Sequence, residues 1–76
     1  IHVLHDLAEL NLDPSEQAIK IVVSGHSHRP KADTVDGVLY LNPGSAGPRR
    51  FSLPITVGTI DLTHDAIRPV IHELNP

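Results

Sequence analysis

Apolar residues in this chain come in short runs whose spacing changes from one segment to the next. Residues 1–4 (Ile1, His2, Val3, Leu4) read as a strand that ends at His5. Residues 6–12 carry large apolar positions at Leu7, Leu10 and Leu12, a pattern that fits an irregular loop or one helical turn. The run Asp13-Pro14-Ser15-Glu16 then predicts a short helix. Asp can cap it, Pro suits the first helical position, and Glu three residues after the cap can reach back to close a capping box. Residues 19–24 are β-rich and apolar on both faces at Val22 and Val23, as expected of a strand held between layers.

The second half reads as strands and turns. Residues 31–36 form a connecting strand or loop that turns at Asp36-Gly37, a hairpin dipeptide, into an interior strand over 38–41. Residues 42–50 hold two Pro and two Gly and predict a loop. Residues 55–62 and 66–74 predict an antiparallel pair joined through Thr63-His64-Asp65. Pro69 has no N–H for a ladder, so its strand belongs at an edge or carries a bulge.

With 76 residues, one compact unit is the most that fits. A chain of this size buries only about 60% of its unfolded surface. The core must be aliphatic, because aromatic residues make up 3% of the chain. There is no cysteine, which excludes disulfides and thiolate metal sites and suits a reducing cytoplasm. A cytoplasmic location is therefore expected, and any metal must be held by nitrogen and oxygen. Nine acidic against six basic residues give a charge of −3, the wrong sign for a nucleic-acid platform. No run approaches the roughly 20 apolar residues of a membrane span, and no membrane partner is expected.

Chemistry concentrates in Ser24-Gly25-His26-Ser27-His28. Two imidazoles one residue apart at a strand end project to the same side and can reach a common site, which is a metal-ligand arrangement. A polar pair in an exposed turn is the plainer alternative. Gly25 is expected to let the backbone turn sharply and an ion approach it. The Gly-rich run 42–48 can offer N–H groups to an anion as a nest, or simply join two strands. Arg49 and Arg50 can clamp a phosphate oxygen by paired hydrogen bonds, or lie solvated in their loop. His2, His64 and His72 fall outside the motif positions and are expected to be surface or strand-filling residues.

Gly25-His26-Ser27-His28, Asn42-Pro43-Gly44-Ser45-Ala46-Gly47-Pro48 and Leu53-Pro54-Ile55-Thr56-Val57-Gly58, in this order and spacing, resemble the C-terminal part of the calcineurin-like metallophosphoesterases. The likeness is to their small single-domain prokaryotic phosphodiesterase branch. It implies an α/β fold in which the chain supplies the strand-rich C-terminal half of a four-layer α-β-β-α sandwich. It also implies a dinuclear site of two divalent transition metals (manganese, iron, zinc or nickel) bridged by a hydroxide that hydrolyses a phosphodiester.

In that resemblance His26 serves one metal and His28 the other, and His5 falls where a further histidine ligand stands. The family has Gly after that histidine and this chain has Asp6, either an acceptor that fixes the histidine tautomer or the exposed start of a loop. The family's Asp-x-His, Gly-Asp and Gly-Asn-His blocks, the last with its general acid, have no counterpart in the sequence. The chain is thus expected to be a fragment, residues 1–76 of one domain whose N-terminal half is missing, and inactive alone.

Expected partners are a phosphate-ester or nucleotide-type substrate and the missing half of the domain. Apolar surface on strands 19–23 and 38–41, left uncovered, should drive self-association. Two other function classes stay open: a non-catalytic scaffold of the same fold, and a small module that binds one metal.

Overall fold

A computed structural model describes every residue except Ser15, Arg50, Phe51, His64, Asn75 and Pro76. Among the described residues six strands form: β1 (His2–Val3), β2 (Ile21–Val23), β3 (Lys31–Val35), β4 (Val38–Asn42), β5 (Thr56–Leu62) and β6 (Ile67–Glu73). The first four make a mixed sheet in the order β1-β2-β4-β3, with β1, β2 and β4 parallel and β3 antiparallel to β4. The last two make a separate antiparallel hairpin.

Local chemistry explains most of the boundaries. Val35 pairs with Val38, so Asp36 and Gly37 are the two turn residues, and both have positive φ (51° and 77°). That is the two-residue turn whose twist matches a hairpin and which favours Asp-Gly. In the β5–β6 pair Ile60 stands opposite Pro69 in an unbroken one-to-one register. Pro69 is therefore carried by an edge position with no bulge, the first of the two arrangements its missing N–H allows.

The helix expected from Asp13 does not form. Among the described residues there is a single turn, closed by the Gln17 N–H donating to the Asp13 carbonyl (3.3 Å) and the Ile19 N–H donating to the Pro14 carbonyl (2.9 Å). Ala18 is left-handed, with φ of 57°, and ends the turn before a second can start. A capping signal adds about 0.5–2 kcal/mol, too little to nucleate a helix against a strand that must begin at Ile21. The regular helical element here is instead a three-residue 3₁₀ turn (Leu7–Glu9), capped by the Asp6 carboxylate, which accepts from the Ala8 N–H at 3.1 Å.

Ile21, Leu39 and Leu41 form the buried cluster, with Val23 from β2 and Ile60 and Ile71 from the hairpin packed against it. The hairpin thus lies over one face of the mixed sheet. The other face must be crossed by the connection from β1 to β2, since parallel neighbours require a crossover. In that connection Pro14 is buried and Leu10, Leu12 and Ile19 are half-buried. Val22, whose side chain alternates away from Ile21 and Val23, is 1% exposed.

This corrects one expectation. Ile21, Val22, Val38, Leu39 and Leu41 are all buried within the chain itself, so the central strands are not left uncovered. Large apolar residues are exposed instead on the outer elements, among them Val3, Val35, Leu62 and Val70.

The loop from β4 to β5 is pinned to the hairpin. The Thr56 hydroxyl, on a buried residue, donates to the Pro43 carbonyl (2.7 Å), and the Thr56 N–H donates to the Ser45 carbonyl (2.9 Å). Gly44 sits above this contact with φ of 80°, and a Cβ there would fall on Thr56 Oγ1 and press on Pro30.

Two substitutions test this packing by thermal or denaturant unfolding. Leu41→Ala, at a position 3% exposed, should cost about 2–5 kcal/mol, whereas Leu62→Ala, 60% exposed, should change stability by under about 0.5 kcal/mol. Equal effects would show that the core does not lie between sheet and hairpin. Gly44→Ala combines a left-handed backbone with a collision and should cost more than about 1 kcal/mol. A neutral Gly44→Ala would mean that the loop does not pack on Thr56 as described.

Candidate functional site

Three parallel neighbours end at one edge of the sheet, and the residues that follow them meet there. His5 follows β1, Gly25-His26-Ser27-His28 follows β2, and the Asn42-Pro43-Gly44 turn begins as β4 ends. Pairing continues beyond the regular strands, with the Leu4 N–H donating to Val23 (3.0 Å), the Gly25 N–H to His5 (2.8 Å) and the Ser24 N–H to Leu41 (2.9 Å). The carboxyl edge of parallel strands is where open α/β sheets bind ligands.

At this edge His5 Nε2 and His26 Nδ1 face each other at 3.1 Å, with their rings nearly perpendicular (82°). In the neutral imidazoles one nitrogen must donate and the other accept. The separation also suits shared coordination, since two nitrogens each about 2.0–2.1 Å from one ion lie about 2.9–3.4 Å apart for octahedral to tetrahedral angles. Asp6 Oδ2 stands 3.9 Å from His26 Nε2, the opposite ring nitrogen, while Asp6 Oδ1 caps the 3₁₀ turn. Asp6 thus starts a local turn, and its second oxygen stands near His26 without a hydrogen bond to it.

His28 is half-buried, and its Nδ1 is buried without a hydrogen-bond partner. An unsatisfied buried polar atom costs about 1–3 kcal/mol, and a metal ion is one way of satisfying it. Among the described residues no three His, Asp or Glu side chains converge on one point. The structure brings His5 and His26 together and leaves His28 apart from them. Imidazole pairs of this kind fit a divalent transition metal, and two coordinating groups leave most of its shell to other ligands.

The way the histidines are presented differs from the expectation. β2 stops at Val23, and His26 and His28 both have left-handed backbones, with φ of 70° and 61°. Strand alternation does not aim them; a turn does. Gly25 does not supply the sharp turn either, as its φ is not positive and a Cβ there would meet only the His5 carbonyl at an ordinary 3.7 Å. Left-handed non-glycine residues cost on the order of 1–3 kcal/mol each and persist where surrounding structure over-determines them.

Hydrogen bonds supply that constraint. The Ser27 N–H donates to the Gly25 carbonyl (2.9 Å), and the Arg29 N–H donates to Ser27 Oγ (3.2 Å). From β4, Asn42 Nδ2 donates to the Gly25 carbonyl (3.1 Å) and to Ser27 Oγ (3.0 Å), while Asn42 Oδ1 accepts from the Gly44 N–H (2.9 Å). In the linear sequence Asn42 stands out only as the opening of a loop. The available signal was Asn followed two residues later by Gly, the local pattern of an Asx turn.

The loop that follows is organised inward. The Gly44 N–H goes to Asn42 and the Gly47 N–H to Ser45 Oγ (3.3 Å), so two of the donors an anion nest would need are engaged. Arg49 is exposed, and the described residues lining the cleft of about 530 Å³ beside His26 do not include it; its charged lining there is Arg29, Lys31, Asp6 and Asp33. Arg50 and His64 lie outside the described residues. His72 is on β6 and shares a hydrogen bond with Thr59 Oγ1 (3.0 Å). Among the described residues no helix is long and apolar enough to cross a membrane.

The chain is similar to a conserved uncharacterized protein, a predicted phosphoesterase, from Streptococcus pneumoniae, with 25% identity and a TM-score of 0.67 over 83% of this chain and 39% of that one. It shares its fold with wild-type Vps29 from Entamoeba histolytica, solved in complex with Zn²⁺, at 18% identity and a TM-score of 0.54, covering 82% of this chain and 43% of that one. The chain thus spans about two fifths of the length of these solved structures. No curated protein matches it. The model of the calcineurin-like phosphoesterase superfamily domain matches residues 1–65, which takes in β1 to β5 and the whole histidine edge, and the chain belongs to that superfamily.

Proposed function

We propose that this chain forms the histidine side of a dinuclear metal centre that hydrolyses phosphate esters, most readily phosphodiesters, in a protein that supplies the carboxylate ligands from other residues. The observation that carries the reading is the pairing of His5 Nε2 with His26 Nδ1 at 3.1 Å, with the partnerless Nδ1 of His28 in the same turn but apart from the pair, at the carboxyl edge of parallel strands.

In this reading His5 and His26 direct their facing nitrogens at one divalent ion, and His28 reaches the second. Bound metals would supply Lewis acidity and a nucleophile of lowered pKa. The protein's own contribution is orientation. Asp6 places a carboxylate on the side of His26 away from Nδ1, 3.9 Å from Nε2. The sheet edge holds His5 and His26 in register through the Gly25 to His5 backbone bond. The phosphate-ester substrate would approach from the same edge, where Arg29 lines the adjacent cleft together with Asp6 and with Lys31 paired to Asp33 (3.2 Å). Arg49 and Arg50 are assigned no part in this scheme.

Metal content by elemental analysis beside hydrolysis of a model diester, measured in the longer protein that carries this chain, tests the assignment. His26→Ala and His28→Ala should each lower occupancy and turnover by orders of magnitude, because a lost ligand removes coordination that no neighbour replaces. His5→Ala should behave like them, and His72→Ala, on the distal hairpin, should change little. Full activity in His28→Ala, or equal effects at all four positions, would overturn the reading. Metal bound normally with no hydrolysis of any ester would favour a scaffold.

Residues 1–76 alone, given manganese, should show no diester hydrolysis above background, because the carboxylate ligands that complete two coordination shells are not among them. Hydrolysis that survives purification and disappears in His28→Ala would refute this.

A further inference from the structure

We infer that Asn42 is the positioning residue of the histidine edge: its side-chain amide holds the Gly25-to-His28 turn in the left-handed conformation that presents His26 and His28. The inference rests on the proposed metal reading for its functional meaning, and on backbone geometry for its physical content.

Asn42 ends β4, whose parallel neighbour β2 leads into the turn. Its amide bridges the two strand ends at three points: Nδ2 to the Gly25 carbonyl and to Ser27 Oγ, and Oδ1 to the Gly44 N–H. The orientation of the amide follows from chemistry, because the Gly25 carbonyl can only accept and the Gly44 N–H can only donate. Reversing it would set like against like at both ends.

The two atoms gripped by Nδ2 lie on either side of His26, and the residue beyond Ser27 is His28. His26 and His28 are left-handed, a conformation that persists where surrounding structure restrains it, and the Asn42 bonds add a restraint from another strand to the local ones. Ser27 Oγ also accepts from the Arg29 N–H, which extends the restraint past His28. A side chain that can donate twice and accept once at this position is the requirement. Asn meets it, whereas Asp can only accept.

Asn42→Asp separates the two halves of the role. It keeps an acceptor for the Gly44 N–H, so the loop turn survives, but sets a carboxylate oxygen against the Gly25 carbonyl. Two readouts on the isotope-labelled 76-residue chain test it. NMR couplings and backbone shifts report whether His26 and His28 stay left-handed, and cobalt(II) titration followed by its ligand-field absorption reports affinity.

In Asn42→Asp the left-handed signature at His26 and His28 should be lost, while amide protection in β2 and β4 persists and the cobalt(II) dissociation constant rises at least tenfold. Ser27→Ala, which removes one of the two acceptors, should shift both readouts in the same direction by less. An unchanged turn in Asn42→Asp overturns the inference, as does an effect confined to Gly44 and the unfolding midpoint. If Asn42→Asp does not fold, Ser27→Ala decides by the same readouts, and a native turn there overturns the inference. If the unaltered chain binds no cobalt(II), the metal reading loses its support in this chain, and the turn signature alone decides the role of Asn42.

Discussion

Parallel pairing of β2 with a neighbour on each side is the constraint on which the rest of this structure depends. Parallel strands point their carboxyl ends the same way, so whatever follows β1, β2 and β4 must emerge at one edge. His5, the Gly-His-Ser-His turn and Asn42 are separated by many residues of sequence and meet because of that single geometric fact. The backbone bond from Gly25 to His5 extends the ladder past the regular strands and carries the register to the histidines.

The same arrangement sets where apolar residues go. A central strand needs cover on both faces, and the chain provides it with the β5–β6 hairpin on one side and the β1-to-β2 connection on the other. Cover is thin, because so short a chain has little to spare. It reaches Ile21, Val22, Leu39 and Leu41 and leaves Val3 and Val35 on the outer strands exposed. An outer edge of that kind is the normal place for a sheet to meet further structure.

Order at the histidine edge comes from polar groups more than from packing. Two residues in costly backbone conformations and a buried ring nitrogen without a partner lie within three positions of each other. Folded proteins rarely keep such a concentration of unfavourable features where nothing uses it. The hydrogen bonds from Asn42 and Ser27, each worth about 0.5–1.5 kcal/mol net, offset part of the cost.

Much of this was legible in the linear sequence. Strand positions followed from apolar runs over 19–24 and 38–41, and the Asp36-Gly37 turn followed from its need for two positive φ values. The Gly-His-Ser-His and Asn-Pro-Gly-Ser motifs identified the superfamily and marked His5, His26 and His28 as the residues to watch. These signals are local, arising from periodicity, turn chemistry and residue type. Tertiary structure decided the rest. A capping signal at Asp13 did not become a helix, since the competing demand was a distant strand. The left-handed turn at His26 and His28, the pairing of His26 with His5 rather than with His28, and the bridging role of Asn42 all depend on contacts between residues 15 or more positions apart. Such contacts exist only after the strands have paired, and no window of sequence contains them.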